Sequence, residues 1–76
     1  MAEVSTIRER EDSLTPREHE VMEQVVCGLR NREISARLGI STRTVEKHVE
    51  RILSKFRVTN RRELMIAVYT AGTSRG

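Results

Sequence analysis

Between residues 43 and 51 the chain sets Arg43, Lys47 and Arg51 beside Glu46 and Glu50. Guanidinium and ammonium groups suit a polyanion, whereas phosphates repel carboxylates. Direction separates the two signs only in part. On a helix turning about 100° per residue, with Arg43 at zero, Lys47 falls at about 40°, Glu50 at about −20° and Ser54 at about 20°. Glu46 lies at about −60° and Arg51 at about 80°, while Val45, Val49, Ile52 and Phe56 centre at about 210°. Arg43, Lys47, Glu50 and Ser54 therefore project together, away from the apolar side. Such a face suits the major groove of DNA, and the glutamates share it.

Other chemistries find less support. Cys27 is the only cysteine, so no internal disulfide forms, and one Cys with His19 and His48 is too few for a structural zinc site. Beside Val25 and Val26, Cys27 reads as a small packed residue. His48, at about 140° on the same wheel, borders the apolar stripe. It reads as a half-buried structural histidine or a phosphate contact, since no carboxylate is placed to orient it as a base. No strained nucleophile turn or oxyanion nest is evident. The expectation is no enzyme, no cofactor and no metal.

The elements that would hold this face are helical. Seventy-six residues make one small domain. In "LTPREHEVMEQVVCG" Thr15 is a good N-cap, Pro16 suits the first helical position and Glu18 stands three after the cap. Met22, Val25, Val26 and Leu29 make an amphipathic stripe, and Gly28 can end the helix at positive φ. "NREISARLG" is a short second helix capped by Asn31, with Ile34 and Leu38 on one face. "STRTVEKHVERILSKF" is the third, capped by Ser41 or Thr42. "NRRELMIAVYTAG" is the fourth, opened by Asn60 and Glu63 and ended by Gly72. The fold class is all-α, a four-helix arrangement with helices at about 16–28, 31–38, 42–56 and 61–71. Residues 1–13 read as a flexible arm or interdomain linker, 14–72 as the domain, and 73–76 as a tail.

Only "GIS" separates the second and third helices, which is the helix-turn-helix pattern. Gly39 would supply the positive φ of the turn. Ser35 and Val45 suit the close crossing that follows.

Charge singles out the same region. Residues 41–62 hold Arg43, Lys47, Arg51, Lys55, Arg57, Arg61 and Arg62 against Glu46 and Glu50, a net of +5, in a chain whose total is +3. That is an electrostatic footprint for nucleic acid. Phe56 and Tyr69 are the only aromatics, too few for the stacking platforms of RNA or single-strand binders. A helical protein-interaction module is the competing class. No stretch is long and apolar enough to span a bilayer, and the chain reads as soluble and cytoplasmic, without a membrane partner.

Taken together, "LTPREHEVMEQVVCGLRNREISARLGISTRTVEKHVERILSKF" and "NRRELMIAVY" resemble the LuxR/FixJ-type (GerE-like) DNA-binding domain of bacterial transcriptional regulators. The resemblance implies a cytoplasmic, sequence-specific regulator of double-stranded DNA, either standing alone or serving as the output domain of a response regulator. It also implies a homodimer through the fourth helix and a possible upstream receiver or ligand-binding domain. The helix-turn-helix unit would span 31–50. Base-reading positions fall on Glu46, Lys47 and Glu50, with Arg43 on the same face. Backbone-contacting positions fall on Thr15, Asn31, Arg32, Thr42 and Thr44, with Arg51 at the edge of the face. Thr15 and Asn31 would present helix N-termini to phosphates.

In the fourth helix Leu64, Ala67, Val68 and Ala71 make a core face. Met65, Ile66 and Tyr69 are left as an outward apolar set, the expected dimer contact. By the resemblance, Glu46 and Glu50 stand where many members of that family have Lys or another phosphate-tolerant residue. Two readings follow. The glutamates pair with Arg43 and Lys47 at i, i+3 and merely steady the helix, or they are devices of sequence preference.

Overall fold

The computed structural model describes the backbone of residues 7–75 and the side chains of residues 9–70. Its helices are α1 (Ile7–Asp12), α2 (Pro16–Val26), α3 (Asn31–Leu38), α4 (Thr42–Phe56) and α5 (Arg61–Arg75). The last four match the expected helices, and no strand occurs among the described residues.

Capping explains most boundaries. Thr15 Oγ1 accepts from Glu18 N–H at 3.1 Å, and Glu18 Oε1 accepts from Thr15 N–H at 3.0 Å, a reciprocal box that opens α2 with Pro16 in its first turn. At the other end Gly28 takes φ +94°, and Leu29 N–H reaches back to Gln24 O at 3.0 Å. Regular helix stops at Val26, two residues before the expected end. Cys27, at the cap, is exposed rather than packed, because the chain turns outward there.

The cap of α3 is Arg30, not Asn31. Arg30 N–H donates to Glu33 Oε1 at 2.8 Å, and Asn31 Oδ1 is instead held by Arg61 Nη1. Gly39 ends α3 at φ +70°. A Cβ at Gly39 would meet no atom within 4 Å, so the glycine serves the backbone conformation alone. Ser41 caps α4, its Oγ accepting from Thr44 N–H at 3.0 Å.

Two further helix ends are unusual. Arg57 closes α4 at φ +59° without being glycine, a conformation costing an L-residue about 1–2 kcal/mol. Val58 N–H closes back onto Leu53 O at 3.0 Å and Val58 packs on the core, which offsets that cost. Beyond Gly72, α5 continues to Arg75, so the expected tail at 73–76 begins as helix. A lone glycine disfavours a helix by about 1 kcal/mol but does not forbid it, and no proline follows.

The core gathers Val21, Met22, Val25, Ile34, Val45, Val49, Ile52, Phe56 and Leu64, all buried. Four of these lie on α4, which makes it the central element. Val45 is fully buried where α3 and α4 cross, and Ser35 satisfies its hydroxyl on Arg32 O at 3.0 Å.

Helix α1 lies within the segment read as a loose arm. Six residues are far too few for an isolated helix, so tertiary contacts hold it. Arg10 Nη1 donates to Phe56 O at 3.0 Å, meeting a carbonyl at the end of α4. Just after α1, Ser13 O accepts from Lys55 Nζ at 2.9 Å. Residues 1–6 of the arm lie outside the described residues.

Candidate nucleic-acid interface

The reading helix is aimed from both ends. Gly39 and Ser41 set its start. Lys55, in its last turn, donates to Glu18 Oε1 at 2.7 Å. Glu18 is only 2 % exposed. Burial pushes its carboxyl up. The Lys55 hydrogen bond, the Thr15 N–H and the charges of Lys55 and Arg51 together outweigh burial and hold it below the ordinary carboxylate range. One carboxylate thereby closes the cap of α2 and fixes the far end of α4.

Between those anchors Arg43, Glu46, Lys47, Glu50 and Arg51 are all exposed, while Val45, Val49, Ile52 and Phe56 are buried opposite. The structure thus brings the four base-reading candidates Arg43, Glu46, Lys47 and Glu50 onto one helix face. Thr42 is exposed beside them, and Thr44, half-buried, shares a hydrogen bond with Ser41 Oγ at 2.9 Å.

Arg32 and Thr15 are exposed at the starts of α3 and α2. Thr15 Oγ1 spends its lone pair on Glu18 N–H, leaving its O–H as a donor. Asn31 is half-buried. Arg61 clamps it, with Nη2 also on Leu29 O at 2.7 Å, so α5 braces the start of α3. His48 is half-buried, and among the described residues its Nδ1 has no hydrogen-bond partner.

The outward set on α5 divides. Ile66 and Tyr69 are 58 % and 78 % exposed. Met65 is not outward: it is half-buried and packs on the core, because α5 lies across α2 rather than standing off it. Leu64 is fully buried, Ala67 and Val68 are half-buried, and the Ala71 side chain lies outside the described residues. Val26, Met65, Ile66, Val68 and Tyr69 line a shallow apolar groove of about 350 Å³.

Sequence reasoning missed Lys55 and Arg61 as positioning residues. Lys55 stands at about 120° on the α4 wheel, beside the apolar stripe, and that placement was the only hint. Nothing local marked Arg61. Among the described residues no cluster of His, Cys, Asp or Glu fits a metal, and no helix is long and apolar enough to cross a membrane.

A tight helix-turn-helix whose second helix buries one face and exposes a charged one is the arrangement of a DNA-binding regulatory domain. The comparisons make this specific. The family described as bacterial regulatory proteins, luxR family, matches residues 12–68. The chain belongs to that family. It is 49 % identical over 53 residues to the probable transcriptional regulator ycf29 of Cyanophora paradoxa, covering 70 % of this chain and 25 % of that protein. To the response regulator Rre1 of Synechocystis it is 47 % identical over 51 residues, covering 67 % and 22 %. To the transcriptional regulatory protein UhpA of Salmonella typhimurium it is 44 % identical over 55 residues, covering 72 % and 28 %. Among solved structures, the response regulator StyR superposes with a TM-score of 0.79 at 33 % identity, over 84 % of this chain and 32 % of that one. The chain thus spans about a quarter of the length of the curated relatives it matches.

Proposed function

We propose that this chain is the sequence-specific, double-stranded DNA-binding domain of a bacterial transcriptional regulator, working in the cytoplasm and reading the major groove with α4. The observation that carries the reading is the division of α4: one face buried, the other presenting Arg43, Glu46, Lys47 and Glu50 to solvent. Those four read base edges. Thr15, Asn31, Arg32, Thr42, Thr44 and Arg51 hold the phosphate backbone, which fixes register without reading sequence. Selection of duplexes from a random pool tests this directly; a pool that yields no enriched sequence would refute it.

Lys47 is the best placed donor to guanine O6 and N7. Lys47→Ala is expected to cost about 1–3 kcal/mol at the selected site and to relax preference at one base pair. Titration against the site and against scrambled duplex checks it. A loss equal on both would make Lys47 a phosphate contact instead.

The domain acts as a homodimer through α5, with Ile66 and Tyr69 at the contact and Met65 supporting them from beneath. Residues 1–13, in which α1 docks on α4, serve as the connection to an upstream receiver or ligand-binding domain. Two response regulators, Rre1 and StyR, support that layout, since the matched segment is a minor part of each. Tyr69→Glu should shift sedimentation toward monomer by placing charge in the contact. Unchanged dimer populations, with and without duplex DNA, would remove this face as the interface.

A further inference from the structure

Among the described residues the glutamates of α4 have no partner. Among the described residues Glu46 and Glu50 form no ion pair and accept no side-chain hydrogen bond, unlike the carboxylates of Glu20, Glu23 and Glu18, which meet Arg17, His19 and Lys55. Arg43 and Lys47, three residues before each glutamate, are likewise without an ion pair among the described residues, so the i, i+3 bridges of the first reading do not form. Both carboxylates stand free beside Lys47 on the exposed face.

A free carboxylate only accepts hydrogen bonds. Cytosine alone offers a major-groove edge with a donor, its N4 amino group, and no acceptor. Guanine presents two acceptors, adenine sets an acceptor beside its donor, and thymine has an acceptor and a methyl group. Against any base but cytosine a carboxylate meets an acceptor, losing water and gaining repulsion. Lys47, between the two glutamates in chain order and beside them on the face, has the opposite requirement, and guanine O6 and N7 meet it. Along the helix Glu46, Lys47 and Glu50 therefore read acceptor, donor, acceptor.

Resting on the proposed groove reading, we infer that Glu46 and Glu50 are specificity-determining residues that select cytosine beside a guanine held by Lys47. The mechanism is largely rejection. Two negative charges weaken binding to all DNA through phosphate repulsion, and weaken it least where N4 donors meet them. The preferred half-site is accordingly built on G·C pairs at the positions α4 touches.

The test is selection from a random duplex pool with the chain, Glu46→Gln and Glu50→Gln, followed by titration at matched salt against the selected site, its single-pair variants and scrambled duplex. Both glutamates are exposed, so the fold should survive, and circular dichroism verifies that. Glutamine makes a bidentate pair with adenine N6 and N7. Each variant is expected to move one position from cytosine to adenine, with discrimination against the original base changing roughly 5- to 100-fold, and to bind scrambled duplex several-fold more tightly. Variants that select the parent's sequences, or gain equally on selected and scrambled DNA, overturn the inference and leave the groove reading standing. A parent that selects nothing overturns both.

Discussion

Raising monovalent salt from 50 to 200 mM is expected to weaken binding of duplex DNA by roughly 1,000- to 10,000-fold if the chain binds as the proposed dimer, since neutralising about 6–8 phosphates releases their counterions and log K then falls against log salt at a slope of about −5 to −7. The cations that produce this are exposed: Arg32 at the start of α3, and Arg43, Lys47 and Arg51 along α4. Thr15 and Thr42 add neutral hydroxyl donors, which position phosphates without contributing to the slope. A single domain on DNA would give about half that slope, so the same titration reports on dimerisation. Arg51→Ala should reduce it by about 1 per subunit if Arg51 lies on the backbone as proposed. A slope near zero sinks the DNA reading and favours a helical module whose partner is a protein.

Replacing Lys55 by methionine is expected to cost about 3 kcal/mol of folding stability, since it leaves the buried Glu18 carboxylate without its cation. For a domain of this length, with a total of roughly 4–11 kcal/mol, that is a large share. The pH dependence gives a signature. In the parent the Glu18 carboxyl lies below its ordinary value of 4.5. Its contribution is therefore present above about pH 4.5 and is lost as pH falls through the lower folded value. Without Lys55 two of the four lowering influences are lost, leaving the Thr15 N–H and the Arg51 charge against burial: the carboxyl rises, and the stabilisation it contributes above the ordinary carboxylate range shrinks. The gap between parent and variant should thus be small in acid and widest near neutrality. Chemical denaturation at several pH values measures it. Adding Glu18→Gln to Lys55→Met should recover part of the loss, because a neutral amide still accepts from Thr15 N–H, whereas Glu18→Gln alone should destabilise. A constant gap across pH, or no recovery in the double variant, would show that packing of the Lys55 stem, not its charge, is what matters.

Both outcomes bear on how α4 is held, and there the sequence and the fold divide the work. By itself the sequence determined the local features. The Thr15–Glu18 box, the positive φ at Gly28 and Gly39, a cap at Ser41 or Thr42 and the four-three-four spacing of Val45, Val49, Ile52 and Phe56 all depend on groups within a turn or two of one another. Residue type and spacing therefore suffice to read them, and with them the helix-turn-helix and its outward face. Only the tertiary structure decided which distant groups brace that face. Lys55 meets Glu18 across 37 residues, Arg61 meets Asn31 across 30, and Arg10 meets Phe56 O across 46. Each is a charged or polar side chain that sequence alone would leave in water. The Asn31 cap, and the arm over residues 7–12, were misread for that reason: Asn31 Oδ1 goes to Arg61, and α1 is held where Arg10 meets Phe56 O. The glutamates failed as i, i+3 partners for the opposite reason. An exposed pair of that kind is worth only about 0.2–0.5 kcal/mol, too little to outweigh the freedom of two long side chains, so spacing that permits a bridge does not make one.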